Sequence, residues 1–348
     1  MKQHAIIPIF IPHAGCPHQC AFCNQRTITA QAAPPDPAKV QEIIESHLDT
    51  LCGRGLRSIE AAFYGGSFTG LPMDEQSALL EVAETYKNEG RIDKIRLSTR
   101  PDYIDDAVLR HLRHHSVDVI ELGVQSFDED VLAASWRGHT VEDIYHACRA
   151  VQEAGFTLGI QLMIGLPKDT PERAVESARR AASLHPAQAR LYPAVVLEGT
   201  PMARWLKDGR YLPMSMEVLI DTTAAMYRIL EDAGIRILRV GLKSTDLING
   251  EADLAHHYHP AFRQLVEGRL AHRDIENQLA ALLSQDGGAQ KTSIDLYANP
   301  HSFNAMVGHK ACNRKALEQA HPDLIFSWKQ DAALADHQYR AVIARRHQ

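Results

Sequence analysis

The sequence predicts an α/β fold, six βα units forming an incomplete barrel, followed by a smaller α+β region. Three observations carry this. Over roughly the first 200 residues short apolar runs alternate with longer helix-patterned segments, the signature of parallel strands joined by helices. Several of the helical segments open at a proline or an acidic residue and close at a glycine, the start and stop signals of helices. After Pro213 the alternation lapses.

In chain order, strands are expected at 5–11, 58–64, 94–98, 119–124, 157–164 and 189–196. Helices are expected between them at 37–51, 73–88, 141–154 and 171–184, with Gly53, Gly90 and Gly155 as stops. Beyond Pro213 come a helix at 216–233, a strand-like 236–241, a His-rich stretch, a helix around 274–283, a turn at 285–288 and a strand at 291–298. The expected division is a barrel at 1–212 and a C-terminal extension at 213–348. In barrels of this kind the chemistry sits on the loops after the strands' C-terminal ends, and every motif below falls there.

With 348 residues and 45% apolar side chains the chain can supply one large core or two. A net charge of -6 argues against a nucleic-acid binder that works by overall charge, although a local basic patch is compatible with it. No apolar run approaches the roughly 20 residues needed to span a bilayer. The segment ending in Ala14-Gly15-Cys16 is short, has only Lys2 before it and is broken by Pro8 and Pro12, so it is not expected to direct export.

Six cysteines stand at 16, 20, 23, 52, 148 and 312. Three crowd into eight residues, which suggests a ligand set rather than a disulfide framework; Cys52, Cys148 and Cys312 are expected to be small buried apolar residues. The spacing of Cys16-Pro17-His18-Gln19-Cys20-Ala21-Phe22-Cys23 is C-x3-C-x2-C, and three thiolates in one tight loop can hold three irons of a cubane cluster. The fourth iron is then open, as catalysis requires. A structural zinc site, with His13 or His18 as fourth ligand, and a buried electron-transfer cluster remain alternatives at this point.

The loop resembles the cluster loop of the radical S-adenosylmethionine (SAM) superfamily, including the aromatic residue before its last cysteine, Phe22. The resemblance implies a radical SAM barrel with a [4Fe-4S] cluster on Cys16, Cys20 and Cys23. It extends to Tyr64-Gly65-Gly66-Ser67-Phe68, similar to the superfamily segment that meets the methionine end of SAM, where glycines permit close backbone approach; a plain strand-ending turn is the alternative. Glu121-Leu122-Gly123-Val124-Gln125-Ser126-Phe127 and Trp136-Arg137-Gly138-His139-Thr140 resemble the Elongator catalytic subunit and the oxygen-independent coproporphyrinogen oxidases. By that resemblance Gln125 hydrogen-bonds SAM and Arg137 neutralises its carboxylate, against an exposed Arg137 and His139 pair on a turn. Gly159-Ile160-Gln161-Leu162-Met163-Ile164-Gly165-Leu166-Pro167 matches the family's fifth strand, with Gln161 where an Asp near SAM is usual; a polar residue satisfied inside the barrel is the other possibility. Ser98 also stands where an acid is usual, and Arg100 with Asp102 then forms a local loop pair.

Tyr192-Pro193-Ala194-Val195-Val196-Leu197-Glu198-Gly199-Thr200 and Leu206-Lys207-Asp208-Gly209-Arg210-Tyr211 carry the Elongator-type resemblance to roughly residue 245. No later segment resembles an acetyltransferase domain. Gly241-Leu242-Lys243-Ser244-Thr245-Asp246 and His256-His257-Tyr258-His259-Pro260 look like the C-terminal extension of small bacterial Elongator-like proteins. His257 and His259 either line a substrate pocket, bind a second metal, or belong to a polar surface loop; Lys310, Arg314 and Lys315 form either an RNA-facing patch or a solvated helix face. The resemblance implies reductive cleavage of SAM to a 5′-deoxyadenosyl radical, fed by an external one-electron reductant of flavodoxin or ferredoxin type. A base in RNA, such as tRNA, is the first expected substrate. A tetrapyrrole or other small molecule and a non-catalytic redox relay are the alternatives, and oxygen-sensitive thiolates favour a reducing cytoplasm.

Overall fold

A computed structural model describes residues 4–12, 14–16, 20–24, 33–242, 253–285 and 292–344. Contacts divide the chain into two compact units, Met1–Leu219 with Ile229–Pro260, and Ile220–Arg228 with Ala261–Gln348.

The first unit is built on a sheet of seven parallel strands in sequential order: β1 (His4–Phe10), β2 (Ser58–Tyr64), β3 (Lys94–Thr99), β4 (Val119–Gln125), β5 (Thr157–Ile164), β6 (Gln188–Pro193) and β7 (Arg236–Val240). β1 and β7 are its two edges, so the sheet is a curled half-barrel rather than a closed one. The sequence pattern counted six strands and left 236–241 beyond the barrel; β7 instead pairs with β6 through Gln188, Ala189, Arg190 and Leu191. A single strand following a long helix carries no alternation signal of its own, and only the partner edge identifies it.

The helices between the strands are α1 (Pro37–Leu51), α2 (Met73–Asn88), α3 (Asp106–His114), α4 (Glu129–Ala134), α5 (Val141–Glu153), α6 (Pro171–Ser183), α7 (Pro201–Lys207) and α8 (Met216–Asp232). Their starts are written locally. Asp36, Asp105, Asp128, Thr170, Thr200 and Ser215 each accept a first-turn amide, and Thr140 forms a reciprocal capping box with Asp143.

Strand register sorts the side chains onto two faces. One carries Ile7, Ile9, Ala61, Phe63, Ile95, Leu97, Ile120, Leu122, Leu158, Ile160, Ala189 and Leu191, all buried, the apolar surface that parallel sheets lay against helices. The other is polar and lines the lumen: Glu60, Tyr64, Arg96, Ser98, Glu121, Gln161 and Arg190. At its centre Glu121 accepts from Arg190 Nε at 2.7 Å, Gln161 Nε2 at 3.0 Å, Tyr64 Oη at 3.3 Å and Arg96 Nη1, while Arg96 Nε donates to Glu60 at 2.8 Å. Gly159 makes this possible, since a Cβ there stands 2.9 Å from Glu121 Cγ. Burial pushes the Glu121 carboxyl up, yet Arg190 and Arg96 outweigh that and hold it below the usual carboxylate range.

The second unit is a three-stranded sheet in the order β10 (Tyr339–Ile343), β8 (Thr292–Ala298), β9 (Leu324–Gln330), with β8 and β9 parallel and β10 antiparallel to β8. With it go α9 (Phe262–Gln285), longer at its start than the pattern around 274–283, α10 (Phe303–Val307) and α11 (Cys312–Ala320). Its core joins Ala271, Ile275 and Leu279 of α9 to Ile294, Leu296, Met306, Leu317 and Tyr339. The turn at 285–288 lies outside the described residues from 286 on. Of the scattered cysteines Cys148 is buried as expected, whereas Cys52 and Cys312 are exposed because they cap or open helices at the surface.

Candidate active site

The cysteine loop follows β1 and is pinned backbone to backbone. Ala21 N donates to Ser135 O at 3.0 Å, Met202 N to Ala21 O at 2.9 Å and Cys23 N to Cys20 O at 3.0 Å. Phe22 packs against the apolar group of Val131, Leu166, Ala194, Val196 and Met202. Cys20 is buried, and Cys16 and Cys23 are half-buried. Burial and the nearby Cys20 push the Cys16 thiol up, a repulsion between thiolates that a cationic iron cluster relieves. Among the described residues no three or more His, Cys, Asp or Glu groups gather as around one metal ion; a cubane asks less convergence, because each thiolate binds a different iron. His13 and His18, the extra ligands a zinc site needs, lie outside the described residues.

Gly65 and Gly66 follow β2 with φ of +77° and +59°, and their neighbour is the cysteine loop itself. A Cβ on Gly66 stands 2.2 Å from Ala14 O and 2.6 Å from Ile11 O; one on Gly15 stands 2.1 Å from Ser67 O, and one on Gly70 2.1 Å from Gly15 O. Ser67 N donates to Ala14 O at 2.8 Å. The two loops are therefore fastened through the reciprocal glycines Gly15, Gly66 and Gly70, of which the sequence pattern singled out only Gly66. Gly66→Ala is expected to displace the cysteine loop and lower iron per chain after anaerobic reconstitution at least tenfold, while helical circular dichroism stays within error; full iron loading overturns this.

Arg137 and His139 are not an exposed pair: both are buried. Arg137 Nη1 lies 3.2 Å from Cys20 Sγ and Nη2 donates to Gly123 O at 2.6 Å. Gly123 is glycine because a Cβ there meets Gln125 Nε2 at 3.0 Å and Arg137 Nη2 at 3.4 Å. His139 Nε2 faces Val124 O at 3.3 Å, and burial first, then Arg137, push its pKa down to about 3, so the ring is neutral. Arg100 pairs with Asp102 at 2.8 and 2.9 Å as expected, but it is buried and also donates to Arg137 O at 2.5 Å. Ser67 Oγ and Thr99 Oγ1, 2.8 Å apart, join the Gly-Gly loop to the end of β3.

Gln125 ends β4 in the left-handed region at φ +69°, and its buried Oε1 has no hydrogen-bond partner among the described residues. Strain at a non-glycine residue together with an unmatched buried acceptor marks a place prepared for a ligand group. Gln161, by contrast, is bound within the lumen, donating its side-chain amide to Glu121 Oε2 at 3.0 Å. Thus Gly65, Gly66, Ser67, Gln125, Arg137 and the cysteines lie around the C-terminal ends of β1 to β4, and Gln161 is joined to them through the lumen.

His257 is neither a surface residue nor a metal ligand: it is buried, with Nδ1 3.2 Å from Ala194 O and Nε2 2.6 Å from Met214 O. Asp253 holds this segment by accepting from Val196 N and Tyr258 N. His259 is half-buried, Lys310, Arg314 and Lys315 are exposed in the second unit, and 243–246 lie outside the described residues. After β5, Asp169 accepts from Gly165 N and Thr170 N at 2.8 and 2.9 Å, and burial pushes its carboxyl up to about 7. A raised folded pKa contributes stability below the unfolded value that is lost as pH rises toward 7. Asp169→Asn is expected to remove about 2 kcal/mol of that decline between pH 4 and 7, read from urea midpoints; parallel pH profiles overturn it.

The Radical SAM superfamily model matches residues 10–181, and the Radical SAM C-terminal domain model residues 186–272. The chain is 26% identical over 305 residues to a tRNA uridine(34) acetyltransferase of Dehalococcoides mccartyi, covering 76% of this chain and 66% of that protein. It is 27% identical over 225 residues to Elongator complex protein 3 of Danio rerio, covering 56% and 41%, and 25% identical over 219 residues to the heme chaperone HemW of Bacillus subtilis, covering 62% and 56%. It spans less than two thirds of these relatives' length. The structure of the archaeal Methanocaldococcus infernus Elp3 with an N-terminal deletion has the same fold, with a TM-score of 0.62 at 20% identity over 79% of this chain and 64% of that one. No described helix is long and apolar enough to cross a membrane. Fold, loop geometry and both family models agree: this chain belongs to the radical SAM superfamily and is a radical SAM enzyme.

Proposed function

We propose that Cys16, Cys20 and Cys23 hold a [4Fe-4S] cluster whose open iron takes SAM, and that the enzyme modifies a base in RNA, tRNA being the substrate class named for its Elongator-type relatives. The observation that supports this most is the junction of Arg137, Cys20, Gly123 and Gln125 beside the Gly65-Gly66-Ser67 loop. The cluster and SAM supply, when bound, reductive cleavage of the sulfonium to methionine and a 5′-deoxyadenosyl radical. The chain's own residues bind and orient. Arg137 holds Cys20 against β4 and offers charge to the SAM carboxylate; Gln125 Oε1 accepts from SAM; Ser67 and the Gly65-Gly66 backbone bound its methionine end. Gln161, fixed by Glu121, stands inside the lumen, and the half-barrel excludes water from the radical. An RNA target base has to be unstacked to enter. An external flavodoxin or ferredoxin supplies the electron, and a reducing cytoplasm suits the thiolates.

The test is anaerobic protein with SAM and dithionite, quantifying 5′-deoxyadenosine with and without bulk tRNA, followed by mass spectrometry of the nucleosides. Stimulation by tRNA with an altered nucleoside supports RNA. Deoxyadenosine that tRNA leaves unchanged, with a haem absorption band on the purified chain, turns the assignment to a tetrapyrrole.

A further inference from the structure

Trp136 sits in the left-handed region at φ +57°, a conformation that costs a bulky residue about 1–3 kcal/mol, and the indole it projects is 47% exposed. Its ring meets Trp205 edge to face at 5.1 Å and 83°, and the Arg210 guanidinium lies 5.9 Å from the centre of Trp205. Beside them a groove of about 350 Å³ is lined by Lys168, Trp205, Arg210 and Leu212, whose side chain is 84% exposed. Arg204 and Lys207, also exposed, stand one and two positions from Trp205 on the short helix α7, three positions apart on one side of it. Three carboxylates lie among these cations: Asp169, whose carboxyl burial pushes up to about 7, also lines the groove, while Asp208 2.9 Å from Arg210 and Glu198 2.9 Å from Lys207 form exposed pairs that bind weakly and exchange readily.

This aromatic and basic face borders the cysteine loop. The residue before Trp136, Ser135, accepts from Ala21 N; the residue after it, Arg137, reaches Cys20 Sγ at 3.2 Å. Phe22, between Cys20 and Cys23, packs in the same apolar group as Trp205. Two covalent and hydrogen-bonded routes therefore join Trp136 to Cys20, one through the Ser135 and Ala21 peptides and one through the Arg137 side chain.

We propose that this face, Trp136 with Trp205, Arg204, Lys207 and Arg210, is the docking surface for a small acidic one-electron carrier protein that reduces the cluster; this rests on the function proposed above. One electron leaves the reduced carrier, which is oxidised by one, and enters the cluster, which is reduced by one; no bond forms or breaks. Electron tunnelling falls off exponentially with distance, so a carrier must dock where the surface comes nearest to the cysteines. The whole chain carries -6 and repels an acidic partner, so contact requires a local set of cations such as this one. Tryptophan and arginine are the side chains that anchor protein interfaces, and transient redox encounters need only a small area.

The experiment uses the full chain with its cluster reconstituted, and flavodoxin and a [4Fe-4S] ferredoxin as probes, against Trp136→Gly, whose glycine accepts the left-handed backbone, and the Arg204→Glu/Arg210→Glu double variant. Carrier binding is followed by anisotropy, cluster reduction by stopped-flow absorbance. The expected result is binding to the native chain that weakens with salt, at least tenfold weaker binding and slower carrier-driven reduction in both variants, and unchanged reduction and deoxyadenosine yield with dithionite. Native-like carrier binding by both variants overturns the proposal, as does failure of either carrier to bind the native chain. So does a uridine-rich RNA oligonucleotide whose binding falls in both variants while carrier binding stays. Failure of the native chain with dithionite strikes the proposed function and leaves the docking measurement standing.

Discussion

Replacing Cys20 by alanine is expected to abolish 5′-deoxyadenosine formation, to a level at least a thousandfold below the native chain, with the iron and sulfide content of the reconstituted protein falling in parallel. Cys20 is the buried cysteine of the trio and lies 3.2 Å from Arg137 Nη1, so its loss removes a proposed ligand and leaves a buried guanidinium with one contact fewer. The backbone of the loop is fixed independently by the Ala21–Ser135 and Met202–Ala21 bonds. Thermal unfolding of the cluster-free forms is therefore expected to shift by no more than about 1–2 kcal/mol, the size of one charged hydrogen bond. Undiminished deoxyadenosine from Cys20→Ala sinks the ligand assignment; a collapse of the cluster-free fold shows that Cys20 is structural.

Replacing Glu121 by alanine is expected to have the largest effect on stability. The residue is 1% exposed and sits between Arg96, also 1% exposed, and Arg190. Removing one member of a buried ionic network strands the rest, at a cost of about 3–5 kcal/mol, a large part of the roughly 5–15 kcal/mol that holds a typical domain folded. Adding Arg190→Met to Glu121→Ala is expected to return part of that loss, because the second substitution removes a charge the first left unpaired. Urea midpoints of the two single variants and the double variant measure this. A loss below about 1 kcal/mol for Glu121→Ala means that water reaches the lumen network and screens it. Because Gln161 hangs on Glu121 at 3.0 Å, the same variant is expected to weaken SAM binding, measured by calorimetry on the reconstituted protein.

Much of the first unit is legible in the sequence because its information is local. The strands at 58–64 and 157–164 and the helices at 37–51 and 73–88 appear with the bounds their patterns predict, each a short apolar run or a helical stripe closed by its own Pro, Asp, Thr or Gly. The cysteine spacing and the Gly-Gly segment are likewise contiguous, and both needed only to be read after a strand. The uses of Gly15, Gly70, Gly123 and Gly159 had no local mark. Gly15, Gly70 and Gly159 are glycines because a segment distant in sequence passes within van der Waals distance of the missing Cβ, and Gly123 because the side chains of Gln125 and Arg137 do.

The sequence by itself determined the parallel α/β alternation, the positions of the loops that carry the chemistry and the cysteine trio, since these follow from periodicity, capping and spacing along one stretch of chain. Tertiary structure alone decided that Arg236–Val240 completes the sheet as a seventh strand, that Arg137 faces Cys20 instead of solvent, that Gln161 is held by Glu121, and that His257 ties two backbone segments together. Hydrogen bonds and ion pairs between residues 14 to 126 positions apart depend on which strands become neighbours. That choice is made by the burial of the whole apolar face at once, which no single segment encodes.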